Sequence, residues 1–299
     1  MKYKRLTALV LVIAVLFSFC SCDTLNQFFE NDLDAESRID SDDLISHFID
    51  VGQGDSEFIE LPDGKTMLID AGTREGGNNT IRLIKKLGYR KIDYLIGTHP
   101  HSDHIGGLAD VIKAFDIGTI YMPDAETQTS TYEYLLKTIK NKNKKIKKAK
   151  AGMRIISSEE FDYSADILAP VSDSYESLNN YSVVIMLRYK NRRLLYMGDA
   201  EALAEKELAD NNTDLSADVV KVGHHGSNSS SSDAFVKKTG ASYAVISVGK
   251  DNDYYHPHSK IVKRWKNAGA SVLRTDLCGN ITICTDGNAI SVKCEKQEA

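Results

Sequence analysis

The amino-acid sequence predicts a mixed fold of strands and helices, α/β or α+β, beginning near residue 44. Three observations support this. From His47 onward, short apolar runs bounded by turn-forming residues alternate with amphipathic segments. Of the 299 residues, 42% are apolar, enough to bury a full core. Finally, several apolar runs end in histidine or aspartate, which is where open sheets carry their chemistry.

Ahead of that domain lies an export signal. Lys2, Lys4 and Arg5 precede an apolar run over residues 6–19, followed by Cys20-Ser21-Cys22-Asp23. The run is short for a spanning helix. The cysteine after it resembles a bacterial lipobox, with Cys22 the expected lipidation site because Ser21 is small and Phe19 before Cys20 is bulky. Phe19 departs from the leucine usual in that motif. The expected organisation is a lipoprotein signal peptide at 1–21, an acidic tether at 22–43 and a folded domain at 44–299. A lipid on Cys22 would hold the protein on the extracellular face of the cell membrane. An uncleaved anchor or a plain secreted protein is the alternative.

Within the domain, residues 48–51 and 56–60 read as strands around the Gly52-Gln53-Gly54-Asp55 turn, and Pro62-Asp63-Gly64-Lys65 turns into a strand over 66–70. Residues 79–87 form a helix with Ile81, Ile84 and Leu87 on one face and Gly88 as its stop. Residues 92–97 read as a buried strand, and a helix opens at Ile105-Gly106-Gly107-Leu108. A helix follows over 131–140, and residues 137–150 hold eight lysines. These read as a solvated face, with a phosphate-tracking rim as the alternative; no aromatic residue is interleaved to stack bases. Residues 183–189 and 193–197 are paired strands ending at Gly198-Asp199, before a helix over 200–208. A strand over 219–222 runs into Gly223-His224-His225, followed by a helix over 231–239, a strand over 244–248 and a helix over 259–267. Residues 281–284 and 289–292 form a hairpin about Asp286-Gly287. Counting outward from it puts Cys294 nearly opposite Cys278, either as a disulfide or as buried thiols.

The chemistry concentrates between Thr98 and His104, where His99, His101, Asp103 and His104 stand in the pattern His-x-His-x-Asp-His. Imidazole and carboxylate are ligands that Zn²⁺ and similar ions prefer. In so tight a turn His99 and His101 are placed to hold one ion, and Asp103 and His104 a second; a merely histidine-rich loop is the alternative. Asp199 offers one oxygen to each of two cations, and equally suits a helix N-cap. Adjacent residues on extended chain point to opposite faces, so only one of His224 and His225 is expected to be a primary ligand. Ser227 and the Gly226 amide are either donors to a phosphate oxygen or part of a serine-rich loop. His47 reads as structural.

These segments resemble the metallo-β-lactamase superfamily. His99 to His104 is similar to its metal motif. Phe48-Ile49-Asp50-Val51-Gly52-Gln53-Gly54-Asp55-Ser56, Leu68-Ile69-Asp70-Ala71-Gly72, Gly198-Asp199 and Gly223-His224-His225-Gly226-Ser227 resemble the hydrolase domain of ComEC-type competence proteins and the choline-phosphate esterases of some Gram-positive cell surfaces. The resemblance runs from about His47 to the C-terminus and does not fix the substrate. It implies an α+β fold, the αββα sandwich, in a single domain. It implies two divalent ions, Zn or Mn, on His99, His101, Asp103, His104, Asp199 and His224, with Asp199 bridging. Asp103, His225 and His256 are the catalytic candidates; His256 would protonate a leaving alkoxide or hold a phosphate oxygen, or else merely belong to the turn before the next helix. His258 reads as surface. Asp70 would orient a metal histidine, with a turn-initiating aspartate as the alternative. One departure stands out: Leu178-Asn179-Asn180-Tyr181-Ser182 lacks the further metal histidine common in the superfamily. The first ion would keep His99, His101 and Asp199 with an oxygen donor or water, which favours Mn²⁺ over Zn²⁺.

The formal charge of −5, from 37 basic and 42 acidic residues, does not suggest a generic polyanion binder. The expectation is an exported, membrane-tethered metal-dependent hydrolase, a phosphodiesterase acting on nucleic acid or on a cell-wall phosphodiester such as teichoic acid. A β-lactam or other acyl hydrolase, and a non-catalytic lipoprotein that binds metal or cell wall, are the alternatives.

Overall fold

The computed structural model describes residues 42–211 and 213–296. The expected signal peptide, Cys22 and the tether up to residue 41 lie outside the described residues. The chain from Asp42 onward forms one compact unit.

The first half runs β1 (Leu44–Phe48), β2 (Glu57–Glu60), β3 (Thr66–Ile69), α1 (Gly77–Lys86), β4 (Lys91–Ile96), α2 (Ser102–Ile105), α3 (Leu108–Ala114), β5 (Asp116–Met122), α4 (Ser130–Asn141) and β6 (Ile146–Lys148). The second half runs β7 (Arg154–Ser158), β8 (Tyr163–Ala169), β9 (Val184–Tyr189), β10 (Arg192–Tyr196), α5 (Ala202–Asp210), β11 (Val219–Lys221), α6 (Asp233–Thr239), β12 (Tyr243–Ile246), α7 (Ser259–Asn267) and β13 (Ser271–Arg274). After α8 (Thr275–Cys278), the hairpin of β14 (Ile281–Thr285) and β15 (Ile290–Cys294) closes the chain.

Two sheets result, ordered β15-β14-β1-β2-β3-β4-β5-β6 and β13-β12-β11-β10-β9-β8-β7. Each joins an antiparallel meander to a parallel series: β3 to β6 in one sheet, β10 to β13 in the other. Strand alternation sorts the side chains into layers. On β9, Ile185, Leu187 and Tyr189 enter the core between the sheets, whereas Val184 and Met186 face the second helical layer. On β3, Met67 and Ile69 face inward and Leu68 packs beneath the first helical layer. Helices therefore cover both outer faces of two stacked sheets, an αββα sandwich. Trp265 of α7 is fully buried against Phe235 and the second sheet; truncating it to alanine would cost about 3–5 kcal/mol.

Several boundaries differ from expectation. The first strand is Leu44–Phe48, not 48–51, because β14 pairs with it from Leu44↔Thr285 to Phe48↔Ile281. That partner is more than two hundred residues away and leaves no local signal. The helix after Asp199 starts at Ala202, with Glu201 at its N-cap position, so Asp199 does not cap it. The motif helix splits into α2 and α3, which places Asp103 and His104 on a helical turn instead of a loop. Cys278 is a buried free thiol, and Cys294 pairs in register with Ile281. The helix Ser259–Asn267 matches its expected bounds. The lysine run covers the end of α4 and the edge strand β6, where Lys144, Lys148 and Lys150 pair with Asp116, Asp124 and Asp173. That is a charged, solvated edge. His47 is buried and structural, bonded to Glu60 at 2.7 Å and Thr282 at 3.1 Å.

Candidate metal centre

All the chemistry sits at the C-terminal ends of parallel strands. After β4, Thr98 leads into His99 and His101, and α2 carries Asp103 and His104. Two turns clamp this segment: the Asp55 amide donates to the Asp103 carbonyl (3.2 Å) and the Ala71 amide to the His104 carbonyl (2.9 Å). Gly54 makes the first approach possible, since a Cβ there would stand 2.2 Å from the Asp103 oxygen. From the other sheet, Asp199 follows β10, with its amide donating to Ser182 Oγ (3.0 Å), and His224 and His225 follow β11.

Among the described residues three groups of donors form, each with its ligand atoms within 4.8 Å of one another: Asp103, His104, Asp199 and His225; His99, His101 and Asp199; and, behind them, Asp55, Asp70 and His104, with Asp199 shared by the first two. Asp199 Oδ2 lies 3.2 Å from His104 Nε2 and 3.8 Å from His99 Nε2, and its Oδ1 lies 3.5 Å from His225 Nε2. His225 Nε2 is also 3.2 Å from Asp103 Oδ2, and His99 Nε2 is 2.9 Å from His101 Nδ1. His104 Nε2 and Asp199 Oδ1 are buried without a hydrogen-bond partner. Buried polar atoms demand one, and imidazole nitrogens facing carboxylates at these distances suit divalent cations. The residues fit the metal that their pattern implies.

The pair after β11 is reversed from expectation: the structure brings His225, not His224, to Asp103, His104 and Asp199. Strand alternation does not apply there, because β11 ends at Lys221 and the pair lies in a tight turn with left-handed backbone. His224 has φ 49° and ψ 47°, His225 φ 51° and ψ 26°. Such angles cost a non-glycine residue on the order of 1 kcal/mol each and persist where function demands them. His224 instead lines a cavity of about 320 Å³ with Gln53, His101, Tyr254 and His256. Its Nδ1 meets Ser229 Oγ at 2.8 Å, and its Nε2 is 3.8 Å from Asp199. His256 lies at the wall of the same cavity. Ser227 Oγ accepts from the Ser229 amide and hydroxyl at 3.3 and 3.2 Å, within the serine-rich loop. Asn179 lies 3.4 Å from His224 Nδ1 and 3.3 Å from Glu201.

Electrostatics separates these histidines. Burial opposes a charge on His225, but Asp199 and Asp55 outweigh it and push its pKa up to about 10. His104 is likewise raised against its burial, by Asp199, Asp103 and Asp55. Burial lowers His99 well below its usual value, with His104 adding to the effect. It also lowers His224, and it takes His256 down to about 4 with help from His225 and His224. Burial would raise Asp199 and Asp103, but the neighbouring histidines hold both below the ordinary carboxylate range.

Behind the donors, Asp70 Oδ2 meets His104 Nδ1 at 2.8 Å while its two oxygens accept from the Thr98 amide and hydroxyl (2.8 and 2.6 Å). That is the orienting contact expected of it. Sequence reasoning passed over Asp55 as a turn residue and Lys221 as a strand residue. Both are buried, with Lys221 Nζ 2.5 Å from Asp55 Oδ2. The available signal was a lysine within an apolar strand, since such a charge needs a buried partner.

A family model described as the metallo-beta-lactamase superfamily matches residues 49–250. The chain is similar to ComE operon protein 3 of Bacillus subtilis, 30% identical over 250 residues that cover 78% of this chain and 32% of that one. It is also similar to competence protein ComA of Neisseria gonorrhoeae, 30% identical over 235 residues, covering 77% and 30%. Recombination protein 2 of Haemophilus influenzae is 27% identical over 239 residues, covering 79% and 28%. These homologues are ComEC-type competence proteins, and the chain spans about a third of their length. Among solved structures, the diiron β-hydroxylase CmlA from Streptomyces venezuelae has a TM-score of 0.53 at 14% identity, covering 80% of this chain and 53% of that one. Igni18, a metallo hydrolase from Ignicoccus hospitalis, has 0.52 at 15%, covering 81% and 99%. Both likenesses concern the fold.

Proposed function

This chain belongs to the metallo-β-lactamase superfamily, and from that premise we propose that it is a dinuclear metal-dependent phosphodiesterase acting on nucleic acid or on a cell-wall phosphodiester. The observation that carries the reading is Asp199, which borders the cavity and belongs to both donor groups, its Oδ2 lying 3.2 Å from His104 Nε2 and 3.8 Å from His99 Nε2 and its Oδ1 3.5 Å from His225 Nε2. His99, His101 and Asp199 would hold one ion; Asp103, His104, Asp199 and His225 the other. Bound divalent ions supply Lewis acidity and acidify water for hydrolysis.

The protein's own groups do the rest. Asp199, Asp103 and the imidazoles fix the positions of charge on the cavity floor. His224 and His256, kept neutral by burial, reach the same cavity from its wall. Neutral imidazoles there offer N–H donors to the non-bridging and leaving oxygens of a phosphodiester. Tyr254, mostly exposed, borders the cavity and stacks on His256 at 5.8 Å between ring centroids. It gives the mouth of the site an apolar edge.

The test is turnover of bis(4-nitrophenyl) phosphate by protein loaded with Zn²⁺ or Mn²⁺, beside a β-lactam. Phosphodiester cleavage lost on chelation and restored by metal is expected. Lactam cleavage alone would transfer the reading to acyl hydrolysis, and metal binding without turnover of either would leave a non-catalytic binder.

We further propose that the chain is exported and held on the extracellular face of the membrane by a lipid on Cys22, on the strength of the segment from Lys2 to Asp23. Cys22→Ala should release the protein from the membrane fraction or leave it uncleaved. Mass spectrometry of the mature N-terminus decides between a lipidated Cys22, a lipidated Cys20 and an unmodified chain.

A further inference from the structure

We propose that Lys221, acting through Asp55, is a positioning residue that aims His225 at the metal-binding position; this rests on the dinuclear reading above. Lys221 lies at the end of β11 inside a parallel series, with β10 and β12 on either side. Its ammonium donates to the Val222 carbonyl at 2.9 Å and the Gly198 carbonyl at 3.4 Å and forms an ion pair with Asp55 Oδ2 at 2.5 Å. One buried cation thus ties together the turn after β1, the residue before Asp199 and the approach to the His224-His225 turn.

Asp55 passes that order to His225. Its Oδ1 is 3.2 Å from His225 Nδ1, which also faces the Ser247 carbonyl at 2.9 Å. The Ser247 carbonyl can only accept, so Nδ1 carries the hydrogen, and the Asp55 carboxylate beside it favours that state. Nε2 is thereby the nitrogen left toward Asp103 and Asp199, at 3.2 and 3.5 Å. Asp70 does the same for His104. The two devices differ in one respect. Asp70 is held by the Thr98 amide and hydroxyl, whereas Asp55 is held by a full positive charge. Without Lys221, the Asp55 carboxylate would sit buried beside Glu57 and lose its nearest cation, keeping only the imidazoles of His225 and His104 at 3.2 and 3.8 Å.

Stability alone does not account for the pair. Burying two charges costs about as much as their attraction returns, and apolar replacements of similar volume often serve as well. The pair's place, with one oxygen on a lysine and the other on a donor histidine, is that of an orienting group. Carboxylates behind metal-binding imidazoles raise affinity by fixing tautomer and direction.

The experiment uses the full chain loaded with Co²⁺ as wild type, Asp55→Asn, Lys221→Met and the double variant. Metal affinity is read by chelator competition, the coordination environment by visible absorption, and folding by thermal melting of the metal-free proteins. Each single variant is expected to bind one of two ions about 10- to 100-fold more weakly and to shift the Co²⁺ spectrum. The double variant should be no worse than the weaker single one, because both act through one contact. If Lys221→Met does not fold, Asp55→Asn carries the test with the same readings. Wild-type affinity and spectrum in the folded variants would reduce the pair to a structural element and overturn the proposal. A wild-type chain that takes up no divalent ion would instead overturn the dinuclear reading, and the proposal with it.

Discussion

The two donor groups share Asp199 and differ in what stands behind them. His104 and His225 are fully buried, and each has a carboxylate at Nδ1: Asp70 at 2.8 Å and Asp55 at 3.2 Å. In the other group, His99 Nδ1 faces only hydroxyls, Thr98 Oγ1 at 3.1 Å and Ser182 Oγ at 3.4 Å, and His101 is partly exposed. The first group brings four side chains and the second three. Beside the second group, the Asn179 amide nitrogen lies 3.3 Å from Glu201 and 3.4 Å from His224 Nδ1. A carboxylate makes an imidazole more basic and a hydroxyl does so less, so the same ligand type can give a firm position and a loose one within a single site.

The largest effect should come from the residue common to both groups. Asp199→Ala is expected to lose both ions and to reduce phosphodiester turnover by at least about a thousandfold, with the fold kept. Metal content and kinetics measured together check this. Retention of either ion at wild-type affinity would mean that Asp199 does not bridge.

A smaller but more discriminating effect separates the adjacent histidines. His225→Ala should lose one ion of two and drop kcat by on the order of a hundredfold or more, whereas His224→Ala should keep both ions and lose turnover alone. Stoichiometry beside steady-state kinetics reads the difference. Metal depletion in His224→Ala instead would reverse the two roles.

Chelator titration tests firm against loose directly. Ion release should occur in two steps separated by roughly ten- to a hundredfold in chelator concentration. His101→Ala should abolish only the earlier step. A single step in the wild type would show that the two positions are equivalent.

The smallest expected effect is on proton balance. In the metal-free protein His225 is pushed up to about 10 and so carries a proton at neutral pH that an ion must displace, and His104 is raised in the same direction. Calorimetry in buffers of different ionisation heat should show protons released on loading at pH 7. The same groups make metal-free stability depend on pH. Folded pKa values above the unfolded value of about 6.5 stabilise fully below it and lose that contribution as pH rises toward 10. Melting of the metal-free protein should therefore fall across that window. A melting temperature that does not change from pH 6 to 10 would contradict the charge arrangement.

How much was legible in the sequence follows the same division. His99, His101, Asp103 and His104 fall within six residues, so local spacing alone brought them to notice, and Asp70 and Asp199 could be read from resemblance at strand ends. The choice between His224 and His225 was not legible. It depends on a left-handed turn after a strand that stops at Lys221, and on the Asp55 and Ser247 acceptors waiting there. Asp55 and Lys221 were hidden for a related reason: they lie 166 positions apart, each ordinary in its own segment. The start of the first strand was missed because β14 defines it from the far end of the chain.

By itself, the sequence determined the alternation of elements, the bounds of the helix Ser259–Asn267, and the placing of a metal-type motif where an apolar strand ends. Those depend on periodicity, turn chemistry and ligand spacing, which act over a few residues. Only the tertiary structure decided which imidazole of the adjacent pair faces the carboxylates, which acids hold the imidazoles in place, and that a buried lysine stands behind one of them. Those depend on charges brought within 4 Å by two sheets closing on each other, where burial makes each unpaired group costly and so fixes the direction of its neighbours.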